Sequence, residues 1–209
     1  MSKKFPNPIF VKIWSSSHGC PWHGLPQALN DQMKEHPKFQ PPRFDAVSGR
    51  RICDDVVASI KTDMNSRSGN QVHVIFLGGN NIRKRGKPAD IIPFFRSILE
   101  YAKVIPGCYV CILGLLPSPG TDDFSKEQFG KATTMLKKLS QRYLDSCSFL
   151  NISRIVLVKD VTINGRNNCG VIDRSFYKPG GIHLNSIGSG RIAQAICTRL
   201  ISIPNKHFV

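Results

Sequence analysis

Acidic residues and long apolar runs are both scarce in this chain. Only 14 of its 209 residues are Asp or Glu, against 29 Lys or Arg, which gives a formal net charge of +15. No apolar run approaches the roughly 18–20 residues of a membrane-spanning helix, so no membrane span is predicted. The short apolar stretch near the N-terminus contains Lys12 and lacks a small-residue cleavage pattern, so we expect no signal peptide. These features favour an intracellular protein, cytoplasmic or nuclear.

The cysteine pattern predicts neither a disulfide framework nor a metal site. Seven cysteines are an odd number, and the single CxxC pair, Cys108 and Cys111, lies inside an apolar, strand-like run. Residues three apart in a strand face opposite sides of the sheet, which argues against a zinc site or a redox pair. No spaced cluster of Cys and His follows. We therefore expect reduced, structural cysteines, no metal and no cofactor.

Composition and periodicity predict one α/β domain. The chain is 41% hydrophobic, enough for a core. Five β-rich runs alternate with helical patterns, which is typical of βαβ units in a parallel sheet with helices on both faces. The runs lie at 9–14, 43–47, 72–77, 109–113 and 148–150, and the helical patterns begin near 25, 54, 88, 125 and 185. The last three helices are predicted over 88–104, 125–144 and 185–201, with an extra strand at 155–158. The domain is predicted to span 9–203, between tails at 1–8 and 204–209.

Polar residues and glycines stand where the predicted strands end. Ser17 follows the first strand, Gly49 the second and Asn80 the third, and His183 precedes the last helix. Ligands of such sheets bind at the carboxyl ends of the strands. A serine becomes a nucleophile when a base such as His takes its proton, and asparagine and backbone N–H groups can stabilise an oxyanion. The four residues together indicate acyl-transfer chemistry.

The order of these short blocks resembles the SGNH (GDSL-type) hydrolase superfamily, which contains esterases, lipases and acetylhydrolases. The resemblance covers about residues 9–201 and implies a flavodoxin-like, three-layer α/β/α fold. It also implies that Ser17 is the nucleophile and His183 the base. The oxyanion hole would consist of the Ser17 N–H, the Gly49 N–H and the Asn80 side chain.

Four positions depart from that family pattern. Ser15 and Ser16 replace the glycine and aspartate of the first block, and Asn81 replaces an aspartate of the third. Gly180 stands where the family has the aspartate that orients the histidine, and losing that acid costs orders of magnitude in rate. Either a backbone carbonyl or Asp173 is expected to take its place.

The remaining histidines carry less information. His73 alternates with apolar neighbours in the third strand and is expected to be structural. His23, His36 and His207 show no functional pattern.

Clustered cations suggest a second function. Two basic groups follow neighbouring strands and are expected to converge, which would attract anions; they are Arg50, Arg51, Arg83, Lys84, Arg85 and Lys87. A solvated cationic surface is the simpler interpretation.

The alternative to an ester hydrolase is a degenerate SGNH-like domain that binds nucleic acid, with RNA favoured over DNA. Oskar-type SGNH-like domains and retrotransposon esterase domains are similar at fold level. The expected partner is therefore an ester substrate or a nucleic acid. A flavin or nucleotide binder is disfavoured because the loop at 15–19 is poor in glycine.

Overall fold

A five-stranded parallel sheet forms the centre of the computed structural model, which describes residues 7–119, 123–155, 162–163, 166–167 and 172–208. The strand order is β2-β1-β3-β4-β5 and all neighbouring pairs are parallel. The strands are β1 (Phe10–Ser15), β2 (Arg43–Ala46), β3 (Gln71–Phe76), β4 (Cys108–Leu113) and β5 (Cys147–Leu150). The predicted α/β fold with five parallel strands is confirmed.

Within the described residues, six α-helices accompany the sheet. They are α1 (Leu25–Met33), α2 (Asp54–Asn65), α3 (Gly79–Arg83), α4 (Pro88–Lys103), α5 (Asp123–Ser140) and α6 (Ser186–Ile201). Helix α5 ends four residues before its predicted end at 144, because Arg142 and Tyr143 donate to carbonyls three residues back and form turns. A short antiparallel pair joins β6 (Thr162–Ile163) and β7 (Arg166–Asn167). Of the strand predicted at 155–158, Ile155 ends a 3-10 helix and 156–158 lie outside the described residues.

Two apolar layers cover the sheet, one on each face. The layer containing Tyr109, Cys111 and Leu113 of β4 packs against α1 and α6. The layer containing Cys108, Val110 and Ile112 packs against α2, α4 and α5. The CxxC cysteines therefore face opposite sides, as predicted. Burial raises the pKa of Cys108 to about 12 and that of Cys111 to about 11, so both thiols stay protonated at neutral pH.

The buried His73 fixes part of the core by hydrogen bonding. Trp14 Nε1 donates to His73 Nδ1 at 3.1 Å, so the ring proton lies on Nε2, which donates to Gln71 Oε1 at 2.8 Å. This confirms the structural role predicted for His73.

The C-terminal residues pack on the domain. A 3-10 helix spans Asn205–His207, and Phe208 contacts the apolar layer that includes Tyr109. Within the described ranges, no helix combines the length and apolar character that crossing a membrane requires.

The order of the strands brings three loops together. Strand β1 lies between β2 and β3, so the residues after Ser15, Ala46 and Phe76 share one edge of the sheet. These loops contain Ser17, Gly49 and Asn80. The fold thus gathers the predicted site residues at the carboxyl edge.

Candidate active site

A tight turn immediately after β1 carries Ser17. Ser17–Gly19 form a 3-10 helix in which Gly19 N–H donates to the Ser16 carbonyl and Cys20 N–H to that of Ser17. A Cβ at position 19 would lie 2.6 Å from the Ser15 Cβ, a distance that real Cβ atoms do not show. Glycine is therefore required for the turn to fold back against β1. The turn leaves Ser17 buried, with its hydroxyl directed at His183.

A hairpin before α6 carries His183. Tyr177 and Leu184 form an antiparallel bridge, and Lys178 N–H donates to the His183 carbonyl at 2.8 Å. The chain reverses through Gly180, with φ of 92°, and Gly181, with φ of 68°. Side-chain-bearing residues rarely adopt such angles. The glycine that replaces the family's aspartate is thus part of the turn that positions the histidine.

Ser17 and His183 form a hydrogen-bonded pair although 166 positions separate them in sequence. The distance from His183 Nε2 to Ser17 Oγ is 3.1 Å. Burial, followed by the charges of Arg83 and Lys178, lowers the pKa of His183. The ring is therefore neutral at physiological pH. With its proton on Nδ1, Nε2 can accept the serine proton.

Two further histidines surround His183. The His23 ring stacks on the His183 ring with 4.1 Å between centroids and 17° between planes. The His18 ring meets it edge-on at 5.6 Å and stacks on Phe76. Burial and the nearby charge of Arg83 lower the pKa of His18 to about 3, so this ring is neutral as well. Neither residue is predicted as a site residue from the sequence, where their only signal is that both lie in the loop segment that carries Ser17.

The predicted oxyanion donors lie on loops tied to one another. Gly49 has φ of 74° in the turn after β2. Asn80 Nδ2 donates one hydrogen to the Arg50 carbonyl at 3.0 Å, and its amide carries a second. Asn81 accepts from Ile52 N–H and donates to the Ile52 carbonyl, both at 2.9 Å. An ionised aspartate at position 81 could accept the Ile52 N–H but could not donate to the Ile52 carbonyl. The two-way contact therefore explains why an asparagine stands at this position.

Asp173 serves a different purpose from the one predicted. Its carboxylate accepts the Ser175 N–H at 2.9 Å and caps the 3-10 helix Arg174–Phe176. Hydrogen bonds from the Ser175 side chain and then from its backbone N–H lower the pKa of Asp173. Among the contacts of the described residues, none joins Asp173 to His183.

The six predicted anion-binding cations are not equivalent. The Arg50 side chain pairs with Asp45, and Arg83 is only partly exposed, so these two are less accessible to a surface anion than the other four. The sign and spacing of charges do not reveal which ones fold inward. Four of the six are exposed, namely Arg51, Lys84, Arg85 and Lys87.

Two cavities adjoin this edge of the sheet. One, of about 590 Å³, lies between the segments after β4 and β5 and helix α5, with Leu115, Pro117 and Phe129 in its wall. The other, of about 470 Å³, borders the hairpin at Pro119, Tyr177 and Gly181. In the part of the chain that the structure describes, no group of three or more His, Cys, Asp or Glu is arranged to hold a metal ion.

Comparison with solved structures identifies the fold. An acetyl xylan esterase has a TM-score of 0.69 at 16% identity, over 91% of this chain and 100% of its own. A family 3 carbohydrate esterase from Talaromyces cellulolyticus gives 0.68 at 16%, over 92% and 96%. A member of the lipolytic protein G-D-S-L family from Veillonella parvula gives 0.66 at 9%, over 93% and 100%. The chain has the SGNH hydrolase fold.

No protein-family model and no curated protein matches the chain. Its SGNH fold is thus recognised from the path of the backbone and from short blocks, not from overall sequence identity. Within this SGNH fold, the departures at 81 and 180 each have a local structural reason, a two-way amide contact and a turn with positive φ.

Proposed function

We propose that the chain is an ester hydrolase in which Ser17 is the nucleophile and His183 the general base. The observation that supports this most strongly is the 3.1 Å contact between Ser17 Oγ and His183 Nε2 at the carboxyl edge of an SGNH-type sheet. A buried serine in contact with a neutral imidazole is the arrangement that nucleophilic acyl transfer needs.

In the first half-reaction, Ser17 Oγ attacks the acyl carbon while its proton moves to His183 Nε2. The carbonyl oxygen becomes an oxyanion, and the Ser17 N–H, the Gly49 N–H and the second amide hydrogen of Asn80 are its proposed donors. The imidazolium then protonates the departing alkoxide, which leaves an acyl group on Ser17. Water attacks the acyl group in the second half-reaction, His183 accepts its proton, and Ser17 regains a proton when the acid leaves.

The hairpin and the stacked ring of His23 replace the missing aspartate as the means of holding His183. They fix the ring's orientation, but they do not supply the negative charge that stabilises an imidazolium. We therefore expect slow turnover compared with a complete Ser-His-Asp triad.

Hydrolysis of an acetyl ester tests this function directly, since acetyl xylan esterase is among the structural neighbours. We expect p-nitrophenyl acetate to be hydrolysed by the wild type and at least about 100-fold more slowly by Ser17→Ala and His183→Ala. Ser59→Ala, at an exposed position on α2, is the matched control and should match the wild type. Equal rates for Ser17→Ala and the wild type would show that Ser17 is not the nucleophile.

Nucleic-acid binding is a second candidate, favoured by the exposed cations near the same edge. Lys84, Arg85 and Lys87 follow α3 and point to solvent on a chain with net charge +15, and Arg51 follows the neighbouring loop. Such a surface attracts phosphate backbones. We propose single-stranded RNA as the ligand to test, and this binding is compatible with hydrolysis.

A further inference from the structure

Arg83 is a cation that no carboxylate among the described residues neutralises, and it is close enough to the proposed reacting pair for its charge to act on His183. It is at the end of α3, where Nη2 donates to Ser118 Oγ at 3.2 Å and the guanidinium carbon lies 5.9 Å from the centroid of the Phe129 ring. Its Nε is shielded from solvent and has no hydrogen-bond partner among the residues that the structure describes. A guanidinium carries five N–H donors. Across the described residues, the bond to Ser118 is its only hydrogen bond.

This setting is costly for the folded protein. A buried charge is stabilised by a partner of opposite charge and by satisfied hydrogen bonds, and Arg83 has little of either. Burial accordingly lowers its pKa. A group this poorly satisfied is suited to a ligand that brings the missing charge and the missing acceptors.

The position of Arg83 also opposes the proposed reaction when no ligand is bound. Its charge lowers the pKa of both His183 and His18. His183 must become an imidazolium when it accepts the Ser17 proton, and an unneutralised cation nearby disfavours that state. A negative group on Arg83 would remove this repulsion. It would also contribute the negative charge that Gly180 cannot provide.

Arg83 is not in the wall of either cavity at this edge of the sheet, but residues near Arg83 line both. Its hydrogen-bond partner Ser118 lies between Pro117, which lines the 590 Å³ cavity, and Pro119, which lines the 470 Å³ cavity. Phe129, beneath the guanidinium, lines the first cavity, and Tyr177 lines the second. The Arg83 charge lowers the pKa of Tyr177, although burial raises that pKa by more.

We propose that Arg83 binds a carboxylate of the ester substrate, so that the preferred substrates are esters carrying a negative charge. This rests on the proposed hydrolase function. The planar fork of a guanidinium pairs with a carboxylate through two parallel hydrogen bonds. Removing a singly charged carboxylate from water also costs less free energy than removing a phosphate dianion.

Two isosteric acetyl esters test the proposal, 4-acetoxybenzoate and the neutral 4-acetoxybenzamide. At about pH 8, where His183 is neutral, we expect the wild type to show kcat/KM at least about tenfold higher for the benzoate, as a charge-assisted pair implies. Arg83→Gln should reduce this preference to about one, and Arg83→Lys, which keeps the charge but loses the fork, should retain part of it. Arg96→Gln, at an exposed site on α4, removes the same charge and should keep the full preference.

Binding to the Ser17→Ala variant separates this inference from the proposed function. Calorimetry with the two intact esters should show the same preference for the benzoate, lost in Ser17→Ala/Arg83→Gln. If neither ester is hydrolysed, the proposed function fails, and the binding preference still decides the role of Arg83. Equal kcat/KM and equal affinity of the wild-type pocket for both esters would overturn the proposal, as would an equal loss of preference in Arg83→Gln and Arg96→Gln. If Arg83→Gln does not fold, the wild-type comparison and Arg83→Lys decide.

Discussion

His23 and His183 lie face to face, with 4.1 Å between ring centroids and 17° between ring planes. His183 is the proposed base, and its chain position lacks the acid that would normally orient it. The flat contact with His23 restricts rotation of the His183 ring while leaving Nε2 on Ser17 Oγ. We therefore propose that His23 is a positioning residue that acts through His183.

Removing the His23 ring should slow catalysis with little effect on binding. We expect His23→Ala to lower kcat about tenfold at nearly constant KM, because His183 samples unproductive orientations. His23→Phe preserves a planar aromatic face and should retain most of the wild-type kcat. Steady-state kinetics with a neutral acetyl ester measure both parameters. If Phe is as damaging as Ala, stacking is not the relevant contact.

The sequence predicted which loops carry the candidate site residues, but not the contacts and burial of the residues around them. Ser17, Gly49, Asn80 and His183 could be predicted as candidates because each follows a strand or precedes the last helix, and chain order alone defines those places. The stacking of His23 on His183 joins loops at opposite ends of the chain, and no local spacing encodes it. The burial of Arg83 could not be predicted either, since a charge run looks the same whether or not one member folds inward.

The pH dependence of hydrolysis should reflect the environment of His183. Burial and the charge of Arg83 hold its pKa below the ordinary value of 6.5. The base must be neutral to accept a proton. The value of kcat/KM for a neutral ester should therefore be at its maximum above that lowered pKa and should decrease as the pH falls through it. Arg83→Gln removes one cause of the shift and should move this acidic limb to higher pH. An acidic limb above pH 6.5 in the wild type would contradict the assignment.

The free energy of unfolding should decrease as the pH is lowered, over a pH range that the pKa of His73 determines. Nδ1 accepts a hydrogen bond from Trp14, so protonation there would oppose two N–H groups, and burial lowers the pKa of His73 to about 4. Between the unfolded pKa of 6.5 and about pH 4, the unfolded chain binds a proton that the folded chain does not. The contribution of His73 to the free energy of unfolding should therefore be at its full value above pH 6.5. Below pH 6.5 it should decrease by up to about 1.4 kcal/mol per pH unit.

Urea unfolding over that pH range measures the effect. His73→Gln removes the titrating group and should flatten the slope in part, because His18, with a pKa of about 3, contributes over the same range. Asn65→Gln, at an exposed position at the end of α2, changes no titrating group and is the control that should keep the wild-type slope. A slope identical in wild type and His73→Gln would show that His73 does not titrate as expected.

RNA binding through the loop after α3 should be strongly salt-dependent. Replacing Lys84, Arg85 and Lys87 by Gln should weaken binding of a single-stranded RNA and reduce the slope of log K against log[salt] by about 0.7 for each phosphate that these side chains no longer neutralise. The charge-matched control replaces three exposed cations elsewhere, Lys137, Lys138 and Arg142. Fluorescence anisotropy over a salt series measures both. Equal losses of affinity in the two triple variants would mean that net charge, and not this loop, governs binding.

Covalent labelling tests the pairing of Ser17 with His183 most directly. A fluorophosphonate is attacked by an activated serine, loses fluoride and remains attached to the hydroxyl oxygen, so the product is visible by mass spectrometry even when turnover is slow. We expect one adduct on the wild type, located on Ser17 by peptide mapping, none on Ser17→Ala and much slower labelling of His183→Ala. An adduct on another residue, or none on the wild type after prolonged exposure, would contradict the assignment of Ser17 as a nucleophile activated by His183.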